Sequence, residues 1–278
     1  MLTTSAGWIA GPRLGGILIA FLRAPFVLLI DAVSFIVSSV FLAGVRPRVA
    51  KRTDADAEGR VRTRIAEGLR MTFLDPIQRA ITIPRAILDV IDAVVATVIV
   101  LYIIREVGLT PALMGLAFAL SSVGFVVGSL IAPRIERRLD IGGMIVLGLF
   151  MVAISPYTMV IANDGLPDAA NVLFFALPGF IGGTGGVLQY VGLVSLRQSV
   201  TPERLLGHVF ASADTLRGML TVVGAFIGAL LGETLGLRAA IAVSAVAYSV
   251  PFLYSLASPL RHASRMVETG PAANESPA

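Results

Sequence analysis

The sequence predicts an all-α membrane protein with eight transmembrane helices, and three observations carry that expectation. The 278-residue chain is 56% hydrophobic and 14% charged, whereas a soluble domain is about 25% charged. Its mean hydropathy of +0.85 is concentrated in runs near the roughly 20 residues that cross a hydrocarbon core about 30 Å thick. Its basic residues gather in alternate connections, as they do when loops face different compartments.

The apolar runs fall at 2–22, 25–45, 81–104, 111–132, 141–162, 171–194, 208–232 and 238–257. With the N-terminus inside, 17 of the 22 basic residues lie in the inner connections and three, Arg23, Arg105 and Arg238, in the outer ones. Arg13 and Arg217 lie within spans. This bias predicts a multi-pass protein of the plasma (inner) membrane with both termini cytoplasmic. Lys51 is the sole lysine. Because the arginines follow topology, the high pI is no sign of nucleic-acid binding. There is no cysteine, and the two histidines, His208 and His262, are far apart. No thiol chemistry, metal site, cofactor or enzymatic nucleophile–base pair is expected.

The first run contains Gly7-Trp8-Ile9-Ala10-Gly11-Pro12-Arg13-Leu14-Gly15-Gly16. Gly7, Gly11 and Gly15 recur four apart, so on a helix they form a smooth stripe for close backbone approach. The run has no basic leader and no small-residue cleavage site, which argues against a signal peptide. Residues 1–45 thus form a two-helix unit, and 46–80 are a cytoplasmic linker. Within the linker, Val61, Ile65, Leu69 and Phe73 recur four apart with Arg60, Arg62, Arg64 and Arg70 between them. That pattern predicts an amphipathic helix on the inner membrane surface, a solvated linker helix being the alternative. Residues 81–257 supply six helices, and 258–278 a cytoplasmic tail.

An internal repeat relates the ends of the chain. A shift of 213 residues places Gly11 on Gly224, Gly15 on Gly228, Leu18 on Leu231 and Leu22 on Leu235. It continues with Ala32-Val33 on Ala245-Val246, Phe35 on Tyr248 and Val37 on Val250. Both copies begin on the cytoplasmic side, so the repeat is parallel with a period of six helices, as in transporters built from two six-helix halves.

These features resemble the major facilitator superfamily. The G-x-x-x-G-P-x-x-G-G run from Gly7 to Gly16 is similar to the glycine–proline motif of the fifth helix in its proton-coupled exporters, with Arg13 at a position usually small or apolar. The segment Arg70 to Pro84, with Asp75-Pro76, resembles the start of the seventh helix. Gln198 to Phe210 resembles the loop between helices ten and eleven, with Leu206-Gly207-His208 where the family carries Arg-Gly-Arg. Gly128 through Arg134, Arg137 and Arg138 is a degenerate form of the family's basic cytoplasmic loop motif. The resemblance covers Met1 to about Arg261 and is nearest the enterobactin-exporter and macrolide-efflux branch. It implies helices five to twelve of a twelve-helix fold, hence a truncated chain. The implied function is proton-coupled efflux of small amphipathic molecules by alternating access, with the bilayer, a small-molecule substrate and protons as partners. The other expectation is a transport-inactive fragment that needs a partner supplying the missing helices.

A charge at the bilayer centre costs about 2.5–3.5 kcal/mol, so each one requires a reason. Asp89 and Asp92 lie three apart on one face of the third span. They are proton-coupling candidates, with a structural pairing of Asp89 to Arg85 as the alternative. Asp31, in the second span, is a third candidate or a partner for Arg13. Asp214 and Arg217, three apart, are expected to satisfy each other, and Glu233 and Arg238 to sit at the outer interface with little to do. The run Gly182-Gly183-Thr184-Gly185-Gly186 lacks the strand and lysine of a phosphate loop and predicts closely packed helix. Gln189 and Tyr190 after it are substrate-cavity candidates. Gly124 and Gly128 form a second four-apart pair. Together with Gly7, Gly11, Pro12, Gly15 and Gly16 they form a predicted packing motif, in which Gly7, Gly11 and Gly15 lie near Gly124 and Gly128.

Overall fold

The computed structural model describes residues 33–35, 37, 39, 41, 70 and 74–262. The chain divides at Gly59 into two compact units. In the first, the described residues between 33 and 41 are helical, and the Ser39 hydroxyl donates to the Phe35 carbonyl at 2.8 Å. The remaining described residues belong to the second unit.

Helix α1 spans Pro76–Arg105. Asp75 starts it by accepting from the Ile77 and Gln78 amides at 2.9 and 2.8 Å, and Pro76 needs no donor there. Helix α2, Pro111–Ile154, begins the same way with Thr110 before Pro111, and the Leu113 amide donates to the Thr110 hydroxyl at 3.3 Å. A 3-10 turn, Ser155–Ile161, continues it. Helix α3 is Asp168–Val200 and helix α4 is Glu203–Thr234. Helices α5, Leu237–Ala247, and α6, Ser249–Ala257, form one span broken at Tyr248. Pro251 explains the break, because its ring collides with the carbonyl four residues back, that of Ala247. Where predicted spans begin at 81, 171 and 208, the helices begin about one turn earlier. Caps and prolines set those starts, whereas hydropathy marks only the apolar part.

Five helices among the described residues are long and apolar enough to cross a membrane. The longest, Pro111–Ile161, folds back on itself at Asp140, whose φ of 60° and ψ of −179° are non-helical. The glycine contacts show the reversal. Gly124 meets Phe180 and Gly128 meets Thr184, whereas beyond the bend Ile145 meets Gly192, Gly148 meets Gln189 and Ser155 meets Gly182. The first arm therefore runs parallel to α3 and the second antiparallel to it. The Asp140 carboxylate stabilises the corner by accepting from the Gly143 amide at 2.8 Å. With the fold-back, the described part of the second unit presents six helical passes long enough to span a membrane, and the first two predicted spans lie outside the described residues or are described only in part.

Two helix joints share one construction. Gly124 and Gly128 of α2 lie on the Phe180 and Thr184 backbone of α3, and Gly224 and Gly228 of α4 lie on the Val90 and Val94 backbone of α1. In both, glycines four apart face carbonyl-bearing residues four apart, so backbones meet without side chains between them. Thr184 locks the first joint by donating to the Gly124 carbonyl at 3.0 Å. Gly124 and Gly128 face the α3 backbone; the predicted packing of Gly7, Gly11 and Gly15 near them falls on residues outside the described ones. Gly7, Gly11, Pro12, Gly15 and Gly16 themselves lie outside the described residues, as does most of the predicted amphipathic helix.

The core has two main clusters. One joins Leu88, Ile145, Leu149, Leu193 and Leu196; the other, toward the opposite end, joins Tyr102, Ile103, Leu109, Phe175 and Ile241. Helix α4 contributes least, with Met219, Val222 and Phe226 exposed at 63%, 71% and 74%.

Candidate functional site

Midway along α1, two acidic and two basic side chains meet. Asp92 lies about 24 Å from the helix start at 1.5 Å per residue, in the middle of a 30-residue span. Arg85, beside Pro84, points up the helix. Its Nε donates to Asp89 Oδ1 at 3.0 Å and its Nη2 to Asp92 Oδ2 at 3.3 Å. From α4, Arg217 Nε stands 3.7 Å from Asp89 Oδ1. From the break between α5 and α6, the Tyr248 hydroxyl donates to Asp92 Oδ1 at 2.8 Å.

The four formal charges cancel, so the cluster avoids the cost of net charge in the span. The two carboxylates differ in setting. The Asp89 side chain is 5% exposed and takes both guanidiniums, whereas that of Asp92 is 50% exposed. Asp89 is locked by Arg85 and Arg217, while Asp92 keeps an open side. Arg217 does not pair with Asp214, as its spacing suggests; the approach of α4 to α1 offers it the buried Asp89 instead.

A second polar group lies toward the basic end of the bundle. Arg197 of α3 is 9% exposed. Its Nη2 donates to the Thr82 hydroxyl at 3.1 Å, and its guanidinium lies 5.8 Å from the Phe210 ring centroid. Its Nε has no hydrogen-bond partner. Nearby, Gln78 Nε2 donates to the Thr201 hydroxyl at 2.7 Å. Tyr190 is 52% exposed. Its neighbour Gln189 is 1% exposed, wedged against Gly148, with Nε2 donating to the Gly186 carbonyl at 3.2 Å. Of the two cavity candidates, Tyr190 alone presents a surface. The Gly182–Gly186 run is helical. Gly183 packs on Phe125 and Gly185 on Gly148 and Met151. Asp31 lies outside the described residues. Among the described residues, no three histidine or acidic side chains gather as metal ligands would.

Sequence reasoning missed Tyr248; the one available signal was its alignment with Phe35, from which it differs by a hydroxyl. It also undervalued Arg238. That guanidinium donates to the Val160 and Ala162 carbonyls at 2.8 and 2.9 Å, faces Glu106 at 3.5 Å and lies 5.6 Å from the Tyr102 ring centroid. Tyr102 itself donates to Met159 and Ala162 carbonyls at 3.0 and 3.1 Å. Together they satisfy the carbonyls left free where the 3-10 turn ends and tie α1, α2 and α5 together at the end opposite the basic one. Arg238→Ala is expected to cost roughly 1–2 kcal/mol, discounting for its partial exposure. Tyr102→Phe is expected to cost about 1 kcal/mol. Thermal unfolding in detergent checks both, and unchanged midpoints would remove the clamp.

A family model described as "transmembrane secretion effector" matches residues 5–275. No curated protein matches the chain.

Proposed function

Since the chain belongs to the transmembrane secretion effector family, of major facilitator type, and is a multi-pass membrane transporter, we propose that it exports small amphipathic molecules in exchange for protons by alternating access. In this reading it resides in the plasma membrane, with the end bearing Arg79, Arg134, Arg137 and Arg138 toward the cytoplasm. The observation that carries the proposal is the half-open Asp92, held between Arg85 of its own helix and Tyr248 of the last span.

The chemistry follows from charge balance. With Asp92 ionised, the cluster is neutral and Tyr248 ties the α5–α6 break to α1. Protonation of Asp92 leaves one uncompensated positive charge and weakens the tie to Arg85. In the membrane that excess favours either exposure to water or departure of a cationic substrate. The cluster carries one extra positive charge with either a proton or a monovalent cation bound and two with both, so each disfavours the other, which is the requirement for antiport. The exposed Tyr190 supplies an aromatic face toward which a cationic amphiphile is attracted. Asp89, with both guanidiniums on it, holds the geometry.

The test uses proteoliposomes of the chain with a fluorescent amphipathic cation. An imposed proton gradient should drive dye against its own gradient, and a protonophore should stop it. Dye movement that ignores the gradient would sink proton coupling; no carrier-dependent movement would sink export.

A further inference from the structure

At the end of the first arm of α2 is a cavity of about 370 Å³ lined by Arg134, Arg137 and Arg138. These positions are three and four apart, so their side chains share one helical face and repel one another. Among the described residues none of the three pairs with a carboxylate; Arg134 Nη1 donates to the Leu130 carbonyl at 3.2 Å. Glu136 and Asp140 are close in sequence but do not line the cavity, and Asp140 caps the following arm.

The surroundings identify the ligand chemistry. Leu130, one turn before Arg134 on the same face, is 64% exposed. An apolar surface on the membrane-spanning side thus leads into a cup of guanidiniums at the helix end. Guanidinium forks match phosphate oxygens in pairs. The volume is that of about twelve waters at roughly 30 Å³ each, enough for a phosphodiester with its alcohol. The helix C-terminus adds negative potential, which stabilises the arginines but leaves their donors unfilled.

We infer that this cavity binds the phosphate of an anionic phospholipid, with the guanidiniums on the headgroup and Leu130 against an acyl chain. The site is separate from the Asp92 cluster, and its occupancy does not depend on what the protein transports.

The chain is purified in a mild detergent, and retention of phosphatidylglycerol and phosphatidylcholine is compared by native mass spectrometry. Wild-type chain should retain phosphatidylglycerol in preference, and each arginine replaced by glutamine should weaken that preference about fivefold. The triple variant R134Q/R137Q/R138Q should lose it, while Arg79→Gln, a charge removed at the same end of the bundle, should keep it. If the triple variant does not fold, the three single variants decide, and at least one must lose threefold or more. The inference is overturned if the arginine variants keep the wild-type preference. Equal loss in Arg79→Gln would also overturn it, showing diffuse attraction. So would displacement of phosphatidylglycerol by millimolar inorganic phosphate, showing a site for small anions.

Discussion

Asp92→Asn is expected to abolish gradient-driven export while leaving dye exchange at equal pH within a few-fold of wild type. Asparagine keeps an oxygen to accept from Tyr248 but cannot take or lose a proton. It also leaves Arg85 and Arg217 facing Asp89 alone, a permanent excess positive charge in the span. That fixed charge matches the protonated state, so the carrier still exchanges dye but no longer couples its movement to protons. Asp89→Asn should behave differently. Asp89 is the buried partner of two guanidiniums, so its loss should cost about 3–5 kcal/mol of stability. It should appear as a lowered unfolding midpoint rather than as selective uncoupling. Measuring both rates and both midpoints separates the roles. Gradient-driven export surviving in Asp92→Asn would remove Asp92 as the coupling group, and a stable Asp89→Asn protein would remove Asp89 as the anchor.

Gly124→Ala and Gly218→Ala are expected to change stability in opposite directions. A Cβ at Gly124 would coincide with the Phe180 carbonyl, whereas one at Gly218 meets nothing within 4 Å. The first forces α2 away from α3 along a joint with no flexible side chain to yield, at about 3 kcal/mol or more. The second swaps a poor helix former for the best in an open position, a gain of up to about 1 kcal/mol. Thermal unfolding of the two variants in one detergent provides the check. A tolerated Gly124→Ala would mean the backbones do not meet as closely as described.

The sequence was informative wherever lipid is the solvent. Each crossing needs its backbone satisfied internally and its surface apolar, so the six helical passes of the second unit are readable from hydropathy. The helix starts were less legible, because Asp75-Pro76 and Thr110-Pro111 fix them by local hydrogen bonding at polar residues.

The site was legible only in its local part. Arg85, Asp89 and Asp92 lie on one helical face by spacing alone, and their pairing follows from it. Arg217 misleads by the same logic, since Asp214 is a good neighbour on the helix but Asp89 is nearer in space. Gln189 and Tyr190 are adjacent in sequence and opposite in fate. The side chain of Gln189 follows Gly185 by four residues and so falls on the glycine stripe that packs against α2. Arg238 looked idle because its partners are two main-chain carbonyls and side chains on a distant helix, which no sequence pattern marks.

By itself, then, the sequence determined that this chain lives in a bilayer, which segments form its long apolar helices and which helix carries the unusual carboxylates. The tertiary structure alone decided which carboxylate is sealed and which is open, and that a tyrosine from the last span reaches the open one. The reason is physical. Hydropathy and helical period act within one segment, whereas pairing in a low-dielectric interior depends on which charges the packed backbones bring within a few ångströms.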